Sequence, residues 1–317
     1  MLIKNITHSD MDGVGCSIIM NKLFHEHLGF DESQIVRATY NDLFQNIMNF
    51  ASFPQEDTIL IITDLNVETQ FLKKLLDLSN VKKLLYIDHH ERSDGRKGLE
   101  SLKYFEPSRF EYRWRKGVSA TKSAYDFSVK HGIQTSKEFE KLINIIDIYD
   151  EWHKSDIRFN EALGLNSIYW DIGFDEFYKK FYDGLVWTKE MKEFVAGKFK
   201  EQNDYFEEAE KYNQIVEFDK KKVLISFNPK GKYTNLYTLR YDADLFILFD
   251  YETKLMRKFS LRSTNDYYDC NAISLKAAKN LKGAQAGGHK ATAGISVPIE
   301  IGMDELITEL LNVIEKI

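Results

Sequence analysis

Strand-like and helix-like segments alternate through the first ninety residues of this chain, and that alternation narrows the fold more than any other feature. The runs LIKNI (2–6), IVRATY (35–40), TILIIT (58–63) and KLLYI (83–87) are rich in β-branched and aliphatic residues and read as strands. Between them lie GVGCSIIMNKLFHEHLGF, NDLFQNIMNFAS and VETQFLKKLLDLS, whose apolar positions fall three and four apart and predict helices. Strand and helix in turn imply βαβ units, and hence a largely parallel sheet covered on both faces. The predicted class is α/β.

In such sheets ligands bind beyond the carboxyl ends of the strands, and the polar residues gather there. His8-Ser9-Asp10-Met11-Asp12-Gly13 follows the first strand, Asp64 the third, and Asp88-His89-His90 the fourth. With side chains alternating at period two, His8, Asp10 and Asp12 can share one direction. Each residue also has a plain structural use. Asp10 and Asp12 beside Gly13 suit a turn or a helix N-cap, Asp64 can cap the helix near Val67, and a lone histidine is commonly a hydrogen-bonded structural residue. Strand and turn chemistry, however, has no use for a double histidine. Three strand ends offering carboxylates and imidazoles to one patch point to metal.

A further ligand is expected from a later helix. The segments 117–132 and 137–154 both read as helices, and in the second Leu142, Ile145, Ile146 and Tyr149 form an apolar face with Asp147 beside it. An acidic side chain there is costly to bury unless paired or metal-bound. Asp147 is therefore the expected contributor, with Asp150 pairing with a neighbour or facing water and His153 closing the helix.

Composition bounds the partners. The chain has 317 residues, 43% hydrophobic and 29% charged, with four prolines and a formal net charge of -6. That is enough for two domains with sizeable cores. A coat for long DNA or RNA would be strongly basic, whereas a short anionic ligand held by a few cations or metals remains compatible. Cys16 and Cys270 match no disulfide or zinc spacing and read as reduced apolar residues. The N-terminus lacks a signal-peptide core, and no run approaches the roughly 18 apolar residues of a membrane span. A cytoplasmic protein without membrane contact is expected.

HSDMDG (8–13), the isolated Asp64, Asp88-His89-His90, the later Asp147 and GGHKATAG (287–294) together resemble, in order, the motifs of the DHH/DHH-associated-domain phosphoesterases. The resemblance spans nearly the whole chain, and IDIYDEW (146–152) looks like the nano-RNase branch. The one departure is Thr292 where the family's GGHxxAAG has its first alanine.

The resemblance implies a DHH metal-binding domain over 1–185, a helical linker over 186–215 and a smaller α/β substrate-binding domain over 216–317. It implies that His8, Asp10 and Asp64 hold one metal and Asp12, Asp64, His89 and Asp147 a second, with Asp64 bridging. Asp88 would orient a liganding histidine and His90 would face the substrate phosphate. Arg262, Gly287, Gly288 and His289 would bind substrate, the arginine through its bidentate fork and the glycines by permitting close approach. Imidazoles and carboxylates without thiolate suit two Mn²⁺ ions, with Mg²⁺ or Co²⁺ as alternatives. Two such ions lower the pKa of a water and clamp the attacked phosphoryl oxygens.

The implied activity is hydrolysis of short single-stranded oligonucleotides to mononucleotides, with long duplexes excluded and a homodimer left open. Cleavage of linear or cyclic dinucleotides, or dephosphorylation of a bisphosphonucleotide, would use the same metals. A nucleotide-sensing module without turnover is the reading from another class. The aromatic segment FEPSRFEYRW (105–114) suits base stacking, core packing or a hairpin.

Overall fold

The computed structural model describes residues 1–38, 43–92, 94–228, 231–265, 267–288 and 290–316. It forms two compact units, Met1–Lys198 and Phe199–Ile317.

The first unit begins β1 (Leu2–His8), α1 (Met11–Asn21), β2 (Gln34–Ala38), α2 (Leu43–Ser52), β3 (Thr58–Thr63), α3 (Thr69–Leu76), β4 (Val81–Asp88), α4 (Gly95–Phe105) and β5 (Phe110–Trp114). Helices α5 (Ala120–Lys130), α6 (Lys137–Asp150) and α7 (Phe159–Phe181) follow, and α8 (Lys189–Ala209) contains the division between units. The five strands pair in parallel in the order β2-β1-β3-β4-β5. Both faces are covered, so β3, TILIIT, is buried at every position. Period two sorts its residues: Ile59 and Ile61 join the core under α1, α5, α6 and α7, and Leu60 and Ile62 join the one under α2, α3 and α4. The connections leave β1 toward β2 and return past it to β3. The order therefore reverses between β1 and β3, the switch point at which such sheets bind ligands.

Helix α1 is buried along its whole length. A Cβ on Gly13 would lie 2.0 Å from the carbonyl oxygen of His8, and one on Gly15 2.3 Å from Thr121 Oγ1. Glycine at these two places lets α1 dock directly on the end of β1 and on α5. The predicted helix reaching residue 30 is α-helical only to Asn21, then widens into a π-helical turn over Lys22–His27. Within the 105–114 segment, Phe110–Trp114 is the edge strand β5, with Phe110 wholly buried and Phe105 exposed.

The second unit contains β6 (Asn213–Phe218), β7 (Lys221–Ser226), the short α9 (Tyr237–Arg240), β8 (Leu245–Glu252), β9 (Met256–Ser263), α10 (Cys270–Asn280), β10 (Gln285–Gly288), β11 (Thr292–Pro298) and α11 (Met303–Glu315). Its sheet runs β10-β11-β9-β8-β7-β6, antiparallel except for the β7–β8 pair. Helices α10 and α11 contribute Ile273, Ala277, Leu306 and Leu310 to the core beneath it. The segment expected to be wholly helical, 186–215, instead ends in strand, since Asn213–Ile215 pair with β7. Among the described residues no helix is long and apolar enough to cross a membrane.

Candidate metal centre

The ends of β1, β3 and β4 bring the acidic and histidine side chains together at the switch point. His8 closes β1, and its Nδ1 lies 2.7 Å from Asp10 Oδ2 and 3.9 Å from Asp64 Oδ2. Asp10 is also the N-cap of α1, accepting from the Gly13 amide at 2.9 Å. The cap reading and the site reading are both satisfied by one carboxylate, which uses a different oxygen for each.

Asp12, in the first turn of α1, is buried against the start of α5. Its Oδ1 accepts from the Thr121 amide at 2.7 Å and its Oδ2 from the Ala120 amide at 2.9 Å. A helix N-terminus favours a carboxylate through these unspent amides and its dipole. Asp64 follows β3 in the left-handed region (φ 55°), a conformation that aspartate tolerates better than most residues. The turn draws its side chain back over the sheet end rather than onward into a strand.

Three sets of ligand-capable atoms cluster, each within 4.8 Å: His8, Asp10 and Asp64; Asp64, His89 and His90; and Asp12, His89 and Asp150. Asp64 belongs to two sets and His89 to two, so the sets form one continuous site. Asp64 Oδ2, His89 Nε2 and Asp150 Oδ2 are buried without a hydrogen-bond partner. Buried polar atoms are rarely left so, because each loses its hydration for nothing in return. A cation among them would satisfy all three, and an oxygen and nitrogen donor set without sulfur fits a hard or borderline divalent ion.

The electrostatics agree. Burial, then the charges of Asp10 and Asp12, pushes the Asp64 carboxyl well above its usual range. Asp150 moves well up for the same reason, with Asp12 as its main repulsive neighbour, and Asp12 itself is raised by burial against the pull of His89. For His89, burial opposes protonation, yet Asp64, Glu151 and Asp150 outweigh it and push the imidazole up to about 12. Asp10 runs the other way: despite burial, the hydrogen bond and charge of His8 hold its carboxyl below the usual range. So much converging negative charge is stable only with protons or a cation in its midst.

No protein-family model matches the chain. It is 23% identical over 314 residues to oligoribonuclease NrnB of Bacillus subtilis strain 168, covering 93% of this chain and 73% of that protein. Among solved structures it is similar to the DHH domain of a protein described as a member of a family of ribosomal proteins, with a TM-score of 0.65, 14% identity and coverage of 100% of this chain and 87% of the other. The DHH phosphoesterase signature thus sits on a DHH-domain fold. The chain is similar in sequence and fold to DHH-family phosphoesterases.

Two further solved structures share the fold. The pGpG-specific phosphodiesterase PggH of Vibrio cholerae aligns at TM-score 0.52 and 15% identity, over 98% of both chains. RecJ of Thermus thermophilus in complex with Mn²⁺ aligns at 0.54 and 14%, over 99% of this chain and 52% of RecJ.

Of the DHH-family positions read from the sequence, His8, Asp10, Asp12, Asp64, His89 and His90 are brought together and Asp147 is not. Asp147 Oδ1 accepts from the Ser119 amide at 2.7 Å, bracing the loop that leads into α5. Asp150, the last residue of α6, lies with its Oδ2 3.4 Å from His89 Nε2. Residues three apart on a helix lie on neighbouring lines of its surface, so an apolar stripe alone does not choose between them.

Asp88 also departs from expectation. It is fully buried at the end of β4, but its Oδ1 meets His90 Nδ1 at 2.8 Å and its Oδ2 the Tyr86 hydroxyl at 2.7 Å, so it orients His90 and not His89. His89 is held instead by Glu151, whose Oε1 lies 2.7 Å from Nδ1. Glu151 escapes sequence reading because it caps α6, where an acidic residue has no helical role; its adjacency to Asp150 was the available signal.

Fixing Nδ1–H on Glu151 leaves Nε2, which faces Asp64 and Asp150, as the atom whose proton an incoming ion would displace. Glu151→Leu is expected to weaken divalent-ion binding about 10–100-fold, the usual cost of losing such a support, with Glu151→Gln recovering much of it. Titration calorimetry with Mn²⁺ checks this, and equal affinities in all three proteins would remove Glu151 from that task.

In the second unit Arg262 lies on β9 opposite Thr292, and Gly288 ends β10 opposite Ala293, so the two flank β11 at one end of the sheet. Gly287 pairs with Gly294. Gly288 has φ 151°, and a Cβ there would fall 2.4 Å from Ala293 Cα. Glycine is required for that strand pairing itself. His289 lies outside the described residues.

Proposed function

We propose that the protein is a metal-dependent phosphodiesterase that hydrolyses short oligonucleotides to mononucleotides. The observation that carries this reading is the trio of buried, unpartnered atoms on Asp64, His89 and Asp150 at the sheet's switch point. Similarity to an oligoribonuclease and to a pGpG-specific phosphodiesterase supports a short substrate, and the Mn²⁺ complex of RecJ supports manganese. His8, Asp10 and Asp64 would hold one ion and Asp12, Asp64, His89 and Asp150 the other. When bound, the ions would acidify a water and offset charge on the phosphoryl oxygens.

The chain's own residues supply orientation. The α5 amides fix both oxygens of Asp12, Glu151 fixes the tautomer of His89, and Asp88 holds His90 by Nδ1, which leaves Nε2 free and able to donate to a phosphate oxygen when it carries a proton as well. Arg262, Gly287, Gly288 and His289 capture the substrate's phosphates, a charge-assisted contact in the case of arginine.

End-labelled oligonucleotides of two to about ten residues, the span one such site admits, are tested with Mn²⁺, Mg²⁺ or chelator beside cyclic dinucleotides, a bisphosphonucleotide and pyrophosphate. Release of mononucleotides from the linear substrates, abolished by chelator, is expected. Turnover confined to dinucleotides selects the reading in which the protein is a dinucleotide phosphodiesterase, which the PggH similarity favours. Tight binding without turnover of any of them defeats the enzymatic proposal.

A further inference from the structure

Arg92 lies just beyond the DHH signature, and its side chain is only 1% exposed. A buried guanidinium is tolerated only when its five N–H donors are all answered. Here they are. Nε and Nη2 bind the two Asp94 oxygens at 3.0 and 3.1 Å, Nη2 also reaches Thr69 Oγ1 at 3.1 Å, and Nη1 reaches Val67 O at 2.7 Å and the Tyr86 hydroxyl at 2.8 Å.

The last contact dictates where protons point. Arginine has no acceptor, so the Tyr86 oxygen must accept from Nη1. It also faces the Val67 amide, a second donor, at 3.4 Å. Its own single hydrogen is left for Asp88 Oδ2 at 2.7 Å or Leu65 O at 3.0 Å. The carboxylate is the nearer and, being charged, the stronger acceptor. With Oδ2 so occupied, Asp88 Oδ1 faces His90 Nδ1 at 2.8 Å as an acceptor, which requires the hydrogen to be on that nitrogen. The backbone of His90 is tied as well, since its carbonyl accepts from Trp114 Nε1 at 2.9 Å.

We infer that Arg92 and Tyr86 are positioning residues for His90: the chain Arg92–Tyr86–Asp88–His90 runs through the core and ends by holding the imidazole in its Nδ1–H tautomer with Nε2 toward the substrate. The inference rests on the proposed role of His90 at the substrate phosphate, but the tautomer can be read in the free protein without any substrate. Misplacing a group that meets the reacting phosphate is penalised well beyond the energy of the lost hydrogen bond. Tyr86→Phe is the clean probe, because it deletes one oxygen and keeps the ring that packs in the core beside Leu84 and Leu99.

The test combines two measurements. In ¹⁵N-histidine spectra of the full chain with Mg²⁺ as a diamagnetic ion, His90 is expected as the Nδ1–H tautomer in the wild type and as a mixture in Tyr86→Phe. Asp94→Asn, at a partly exposed position, should shift the balance the same way by less. In kinetics on the oligonucleotide cleaved best, Tyr86→Phe is expected to lower kcat/KM about tenfold, the lower end of such supporting effects, with Mn²⁺ affinity unchanged. In a His90→Ala background the same change should cost nothing more. An Nε2–H tautomer in the wild type, or an Nδ1–H signal unmoved in Tyr86→Phe, overturns the inference even if no substrate is ever turned over. So does an equal kinetic loss in both backgrounds, which is what a merely structural tyrosine would give.

Discussion

Asp64→Asn is expected to abolish hydrolysis and, at the same time, to make the metal-free protein more stable. Among the described residues, Asp64 alone joins the His8–Asp10 set to the set around His89. An amide supplies neither the charge nor the second anionic oxygen that the proposed pair of cations would need. The loss of turnover should reach about a thousandfold or more, since removing even one preorganised electrostatic partner costs about 10²–10³.

The gain in stability follows from the same carboxylate. Burial and the neighbouring Asp10 and Asp12 raise its folded-state pKa well above its unfolded value. Such a group binds more protons folded than unfolded, so its contribution is present at low pH and is lost as pH rises through the folded pKa. At neutral pH, above the unfolded pKa, keeping this carboxyl buried costs the metal-free fold free energy, whether as proton uptake or as buried charge, and the neutral asparagine, which also tolerates the left-handed φ of 55°, relieves it. Thermal unfolding in chelator should show a higher Tm for Asp64→Asn at about pH 7 and a vanishing difference as the pH falls below about 4, where the wild-type carboxyl is protonated even unfolded. Mn²⁺ should raise Tm in the wild type and do little in the variant. A variant that is less stable without metal at neutral pH, or that keeps wild-type turnover, would remove Asp64 from the bridging position.

What is legible in the sequence is whatever rests on periodicity and on the ends of strands. TILIIT and KLLYI can be placed because doubly covered strands are uniformly apolar, and Asp64 and Asp88 can be placed because they terminate those runs. Helix-borne groups are harder. Asp147 and Asp150 differ by less than one turn, and which one reaches His89 depends on where α6 ends and how it packs on α5, which are tertiary facts. Glu151 is invisible because its partner lies 62 positions away in the chain. Strand β5 is hidden by its charges, for an edge strand such as FEYRW keeps much of its surface in water and shows no apolar run. The order of the motifs therefore locates the site, while the hydrogen bonds that aim each imidazole emerge only from the folded structure.

The two acidic residues of α6 provide the sharpest comparison between those levels. Asp150→Asn is expected to weaken Mn²⁺ binding about 10–100-fold or more and to lower kcat with it, because it neutralises a carboxylate whose Oδ2 is buried, unpartnered and 3.4 Å from His89 Nε2. Asp147→Asn should be mild. Its side chain accepts from the Ser119 amide, and an asparagine oxygen accepts that bond as well as a carboxylate does, apart from the charge. Asp147→Ala is different again: the Ser119 amide loses its acceptor, and leaving such a donor unsatisfied costs about 1–3 kcal/mol of stability. That loss should appear in Tm and spread to metal binding only indirectly, through the start of α5 whose amides hold Asp12. Calorimetry and thermal unfolding on the three variants separate the cases. If Asp147→Asn loses Mn²⁺ and Asp150→Asn keeps it, the ligand is Asp147 after all, and α6 must turn by about 60° when the ion binds, the angle separating residues three apart at about 100° per residue.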